Sequence, residues 1–284
     1  MRVKPNFLII GSNKGGTTSL FQYLTAHPEV FKPTIKEPMF FNYYDNQGED
    51  GNFRAQLVIK SLESYNKLFE GSELFKAAGE SSTSYLANPY CAKHIYDFNP
   101  SMKIIAVLRN PIERAFSNYL MYVRWGDEKR NFSKALKDEL EGKELPQGKQ
   151  YIYLGYYLQA LEVYKKQFGT EQLRVYLNED LKHSPYETYK DICNFIGVND
   201  DFVPDFSRRY NTNDKVDIRP VYKMLRYLDD KYAYTKCLPY RIKKHIYKKP
   251  VIKQRDKALL LSIYKSEIES LSNFLNRDLS HWLT

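Results

Sequence analysis

Short, wholly apolar runs alternate along this chain with stretches in which apolar side chains recur every three or four positions. Phe7-Leu-Ile-Ile-Gly11, Lys103-Ile-Ile-Ala-Val-Leu108 and Leu173-Arg-Val-Tyr-Leu177 are too short for helices and too apolar for a half-exposed sheet, so they read as buried strands. Phe75-Lys-Ala-Ala-Gly79 reads as a shorter strand. Helical spacing appears in the first connection (Leu20, Tyr23, Leu24), ending at His27-Pro28, and again through Ile112, Ala115, Phe116, Tyr119, Leu120 and Val123. It returns at Leu154, Tyr157, Leu158, Leu161, Tyr164 and Phe168, over 185–196, and from Leu260 to Leu275. Caps agree: Asn110 precedes Pro111 and Glu113 in capping-box order, and Gly197 follows Ile196. Between them, 61–69 predicts a helix within a polar stretch, and 125–150 a charged flap with a solvated helix over 134–141. Strand and helix alternating throughout predict an α/β fold of three layers, with helices on both faces of a central parallel sheet. No linker divides the 284 residues, so the expectation is one domain over 1–284.

In such a fold ligands gather at the carboxyl ends of strands, and the chemistry-bearing residues cluster where those ends are predicted. The first strand runs into Gly11-Ser12-Asn13-Lys14-Gly15-Gly16-Thr17-Thr18-Ser19, a glycine-rich turn opening a helix. Glycines let backbone N–H groups face inward, and the helix start adds positive potential, so the segment suits a phosphate. It is not a Walker loop: Gly11 and Gly16 are correctly separated, but Thr17 stands where the lysine belongs and Lys14 comes early. Alone, the segment could also be a tight strand-to-helix turn with an incidental lysine. A second cluster follows Leu108, where Arg109 at the strand tip and Ser117 off the helix's apolar stripe offer a bidentate fork and a hydroxyl for another phosphate. Lys36-Glu37-Pro38-Met39-Phe40-Phe41 presents a charge pair braced by proline and two aromatics, which the residues alone leave open as an exposed loop pair or a carboxylate held beside a phosphate.

Together, Gly11 to Ser19 and Leu108-Arg109-Asn-Pro-Ile-Glu-Arg-Ala-Phe-Ser117 resemble the two nucleotide-binding motifs of sulfotransferases that use 3′-phosphoadenosine 5′-phosphosulfate (PAPS). Within that family the chain is most similar to the carbohydrate branch, the heparan-sulfate-type enzymes and their bacterial relatives, in order from the first strand to about Val198. The resemblance implies a P-loop-like fold and sulfonate transfer from PAPS to an acceptor hydroxyl, releasing PAP without a metal. It implies that Ser12, Asn13, Lys14, Gly15, Gly16, Thr17, Thr18 and Ser19 hold the 5′ end while Arg109 and Ser117 hold the 3′-phosphate. Glu37 takes the general base's position, and Glu80 matches a second acidic residue and is the fallback. The heparan-type lysine after that acid is replaced by Ser81. A basic segment closing over the nucleotide would draw on Lys215 and Arg219.

The net charge of +9 favours anionic partners without choosing among nucleotide, glycan, membrane surface and nucleic acid. The 231–255 stretch, rich in lysine and tyrosine and free of acids, reads as a solvated basic face or a patch for an anionic acceptor or headgroup. Nucleic acid is not expected, and the 231–255 stretch leaves peripheral membrane contact open. Cys91, Cys193 and Cys237 suggest neither a disulfide framework nor a zinc cluster, the five histidines are scattered, and no apolar run reaches spanning length. The expectation is a cytoplasmic bacterial protein or a soluble part of a larger one. Two other classes stay open: a P-loop nucleotide kinase or NTPase, and a non-catalytic polyanion binder using the basic stretch.

Overall fold

Five strands pair in parallel: β1 (Phe7–Gly11), β2 (Val30–Phe31), β5 (Ala77–Glu80), β6 (Lys103–Leu108) and β7 (Leu173–Leu177). Their order is β2-β5-β1-β6-β7, so β1 lies at the centre. A separate antiparallel hairpin pairs β3 (Gly51–Phe53) with β4 (Gln56–Val58). The structure, a computed structural model, describes residues 5–46, 51–53, 56–208 and 250–284.

Successive side chains of a strand point to opposite faces, and the core divides accordingly. Leu8 and Ile10 of β1 and Ile104, Ala106 and Leu108 of β6 belong to one apolar cluster, while Phe7, Ile9, Ile105 and Val107 belong to another. The first face is covered by α3 (Cys91–Phe98), α4 (Pro111–Trp125), α5 (Phe132–Leu140), α6 (Leu158–Phe168) and α9 (Gln254–Leu275). The second is covered by α1 (Thr17–Leu24) and α8 (Pro185–Ile196). α2 (Leu62–Lys67) and α7 (Asn178–His183) complete the helices of the described residues. This is the expected α/β architecture of a parallel sheet between helical layers.

Local chemistry sets most boundaries. Asn110 Oδ1 accepts from the backbone N–H of Ile112 at 2.9 Å and Pro111 opens α4, while Gly197 ends α8 with φ +84°. Ser61 caps α2, accepting from Ser64 N–H at 3.1 Å. Tertiary contacts override the pattern at α6, which starts at Leu158, after a short 3-10 turn at 153–155. Glu267 of α9 supplies that start, accepting from the N–H groups of Tyr157 (2.7 Å) and Leu158 (2.8 Å). Nor is α5 fully solvated: it buries Phe132, Ala135 and Leu136. The charged stretch before it is tied down, with Arg130 donating to Glu128 and Asp138, and Tyr119 donating to the Arg130 carbonyl at 3.0 Å.

Candidate functional site

Four neighbouring strands deliver their carboxyl ends to one side of the sheet: β5 at Glu80, β1 at Gly11, β6 at Leu108 and β7 at Leu177. A cleft of about 2000 Å³ opens there. The loop after β1 is fastened to both strands on its far side. The Ser12 N–H and hydroxyl both donate to the Val107 carbonyl, at 2.8 and 3.0 Å, and Asn178 Nδ2, just beyond β7, donates to the Gly15 carbonyl at 2.7 Å. These contacts leave no room for a side chain at Gly15, where a Cβ would lie 2.1 Å from the Val107 oxygen. Gly16 takes φ +109°, a conformation L side chains rarely adopt, and a Cβ there would meet Asn178 at 2.7 Å. The loop is thus a backbone surface pressed onto the sheet, with the start of α1 behind it. Asn13, Lys14, Gly16, Thr17, Thr18 and Ser19 line the cleft, whereas Ser12 is spent on the tether and Gly15 on close packing.

Lys14 itself has φ +68°, in the left-handed region that non-glycine residues seldom adopt. Its Nζ approaches Met121 Sδ of α4 at 3.7 Å. Burial lowers the Lys14 pKa to about 8, helped by the positive charges of Arg124 and Arg109 and Lys36, while Glu37 pulls it back up. That list of neighbours places both phosphate-motif cations and the Lys36-Glu37 pair in one electrostatic field. An anion reaching this point would relieve that repulsion.

Arg109 and Ser117 lie on the β6 to α4 side of the same cleft. Tyr157 fixes the Arg109 backbone, its hydroxyl donating to the Arg109 carbonyl at 2.9 Å. The guanidinium lies along the first turn of α4, donating through Nε and Nη2 to Glu113 Oε2 at 3.0 and 2.7 Å. Glu113, expected in a capping box, therefore shares the fork that a phosphate would use.

Glu37 lines the cleft on the crossover after β2. It is paired with Lys36 and accepts from Thr83 Oγ1 at 3.3 Å. The crossover is pinned where Ser81 N–H donates to the Lys36 carbonyl (2.9 Å) and Met39 N–H to Ser82 Oγ (3.0 Å). Phe40 and Phe41, both fully buried, anchor its far end. Glu80 is placed differently. It is fully buried at the end of β5 and does not line the cleft, and its two carboxylate oxygens have no hydrogen-bond partner. Burial pushes its pKa up to about 8, against the nearby Tyr85 and Ser82 hydroxyls and with the charge of Glu37 adding to the rise. Lys215 and Arg219, and residues 231–249 of the basic stretch, lie outside the described residues.

Several cleft residues were not singled out in the sequence. Asn178 reads there as a turn cap, although its position directly after a buried strand is the signal that strand-end logic offers. Asn42, Thr83, Ser84 and Asn88 carry no motif at all. The glycine loop with Lys14, the Arg109–Ser117 pair and the Glu37 carboxylate on the crossover all line one cleft. Such a set can hold a doubly phosphorylated nucleotide and place a base beside its 5′ end. Among the described residues no helix is long and apolar enough to cross a membrane.

A family model described as "Sulfotransferase domain" matches residues 4–217. A solved sulfotransferase from Alicyclobacillus acidocaldarius superposes with a TM-score of 0.78 at 30% identity, over 99% of each chain. The chain is 35% identical over 137 residues to the membrane-associated sulfotransferase kil1 of Dictyostelium discoideum, covering 48% of this chain and 26% of that one. It is 28% identical over 198 residues to human heparan sulfate glucosamine 3-O-sulfotransferase 5, covering 68% of this chain and 54% of that one. The matched part is thus about half, or less, of each of these two relatives.

Proposed function

We propose, since the chain belongs to the PAPS-dependent sulfotransferase family, that it transfers a sulfonate group from PAPS to a hydroxyl of a carbohydrate or glycoconjugate acceptor. The observation carrying this is the convergence of the tethered glycine loop, Lys14, Arg109 with Ser117, and Glu37 on one cleft. PAPS supplies the transferable group and a phosphate as leaving group.

In this reading the loop amides, Thr17, Thr18, Ser19 and the start of α1 bind the 5′ end, and Arg109 and Ser117 bind the 3′-phosphate. Lys14 stands where leaving-group charge grows, and removal of one such preorganised donor typically costs about 2.7–4 kcal/mol of barrier. Glu37, held by Lys36 and Thr83, takes the proton from the acceptor hydroxyl. Glu80 positions rather than reacts: it is fully buried, does not line the cleft, and burial raises its pKa to about 8. Its place is behind the crossover that carries Glu37. We assign 1–284 to one domain and a cytoplasmic setting, supported by Cys91 and Cys193, both free buried thiols.

The deciding experiment is a thermal-shift series with PAP, ADP and ATP–Mg²⁺, followed by transfer from labelled PAPS to hydroxylated acceptors. Stabilisation by PAP without metal, well beyond that by ATP–Mg²⁺, is the expected result. Preference for ATP–Mg²⁺ would return the chain to the nucleotide kinases.

A further inference from the structure

Tyr157 touches both of the segments proposed to hold phosphates, yet does not line the cleft itself. Its hydroxyl donates at 2.9 Å to the carbonyl of Arg109, which lies in the short link between β6 and α4. The same oxygen has the Ser12 hydroxyl as a hydrogen-bonding neighbour, and Ser12 is the residue that tethers the glycine loop to Val107. Burial raises the pKa of the phenol, which therefore keeps its proton and stays a donor. Loop and strand tip thus share one fixed point.

That point is itself clamped by α4 and α9. Arg114 of α4, fully buried, donates to the Tyr151 carbonyl, and Tyr264 of α9 donates to the Ile152 carbonyl at 2.6 Å. Glu267 of α9 accepts from the N–H of Tyr157 at 2.7 Å as well as from that of Leu158. Gly155 packs so closely that a Cβ there would lie 2.3 Å from the Tyr264 hydroxyl oxygen. The Tyr157 ring is buried among these contacts. A segment held this tightly gives its hydroxyl little freedom to follow either partner if one of them moves.

We propose that Tyr157 is a positioning residue that fixes the spacing between the seat of the nucleotide's 5′ end and the seat of its 3′-phosphate, so that the two phosphates bind cooperatively. This rests on the donor site proposed above and adds to it a residue that does not reach the cleft. When two phosphates are linked through one ribose, binding the first sets where the second arrives. The gain from the second then depends on its seat already being in place. A ligand with a single phosphate does not sense that spacing.

The test measures dissociation constants of the full chain by calorimetry for PAP, adenosine 5′-phosphate and adenosine 3′-phosphate. Tyr157→Phe keeps the ring and deletes the hydroxyl. It should weaken PAP about tenfold, the upper worth of one neutral hydrogen bond, while each monophosphate changes less than twofold. In an Arg109→Ala background, where the 3′ seat is already lost, the same substitution should change PAP affinity less than twofold. Glu267→Ala, outside the cleft lining, removes the acceptor that holds the Tyr157 backbone and should show the same selectivity at about threefold. Equal weakening of all three nucleotides, as loosened packing alone would give, overturns the inference. So does unchanged PAP binding, or an undiminished loss in the Arg109→Ala background. The unsubstituted chain separates the two levels: failure to bind PAP sinks the donor site itself, and PAP binding without the selective loss sinks only the role of Tyr157.

Discussion

The two ends of the cleft are made from different material. At the end proposed for the nucleotide the surface is mainly backbone: a glycine loop pressed onto β6 and held by Ser12 and Asn178, with Lys14 on the loop and Arg109 braced through its own carbonyl. Where the crossover after β2 meets the turn after β5 it is side chain, contributed by segments far apart in sequence and joined by Asn42, Ser84 and Asn88. Backbone surfaces tolerate almost no substitution, because the space a Cβ would need is already occupied. Side-chain surfaces can change residue by residue. The first end is suited to a fixed ligand, and the second to one that differs between proteins built on the same frame.

That contrast can be broken by measuring binding and turnover separately. Glu37→Gln should show the largest change, a fall in kcat of about 10²–10⁴ with PAP affinity nearly unaltered. A fully active variant removes Glu37 from proton transfer. Lys14→Met should lower kcat by about 10²–10³, since it deletes one donor to the growing charge. If only the KM for PAPS moved, Lys14 would be a binding residue and nothing more. Arg109→Ala should weaken PAP by roughly 10–100-fold, the worth of a charge-assisted hydrogen bond, and adenosine 5′-phosphosulfate far less, because only PAP carries the 3′-phosphate. Equal losses for both nucleotides would separate Arg109 from that group.

Two smaller effects follow from the displaced pKa values. Bound phosphate favours the ammonium form of Lys14, whose free pKa is about 8. PAP affinity should therefore be full below that pH and decline above it, by at most about tenfold per unit, with Lys14→Met flat over the same range. The Glu80 pKa is displaced the other way, upward, yet its consequence is also lost as pH rises. A carboxyl with its pKa raised to about 8 contributes most to stability below its ordinary pKa, and that contribution drains away as pH climbs toward 8. Glu80→Gln, permanently neutral, should match the parent in melting temperature near pH 4.5 and surpass it by pH 8. Each kcal/mol of relieved charge burial would appear as about 2–4 °C. No divergence across that interval would mean Glu80 is ionised in the fold.

The same contrast decided what could be read from the sequence. Buried strands leave contiguous apolar runs, and caps such as Asn110 and Gly197 are local, so β1, β6, β7, α4 and α8 were legible with nearly correct ends. The glycine loop and Arg109 were legible because their spacing is constrained by backbone geometry. The true start of α6 was not, since the carboxylate that caps it lies about a hundred residues downstream on α9. Nor was the partial burial of α5, whose charged face hides three apolar residues. Asn42, Ser84 and Asn88 were invisible for a plainer reason: amides and hydroxyls in turns are commonplace, and only the crossover's docking against the turn after β5 brings them together. Glu80 was legible as a residue but not as an environment, because nothing in its neighbours' spacing announces complete burial.

The Val107 carbonyl receives two bonds from Ser12 and leaves Gly15 no clearance, so β6 acts as a gauge against which the proposed nucleotide seat is set. Slipping that strand by one residue would retune donor and catalysis together. Exchanging 39–43 and 83–88 as a matched pair leaves the gauge untouched, so those two short segments can be varied without disturbing the loop's seat on β6.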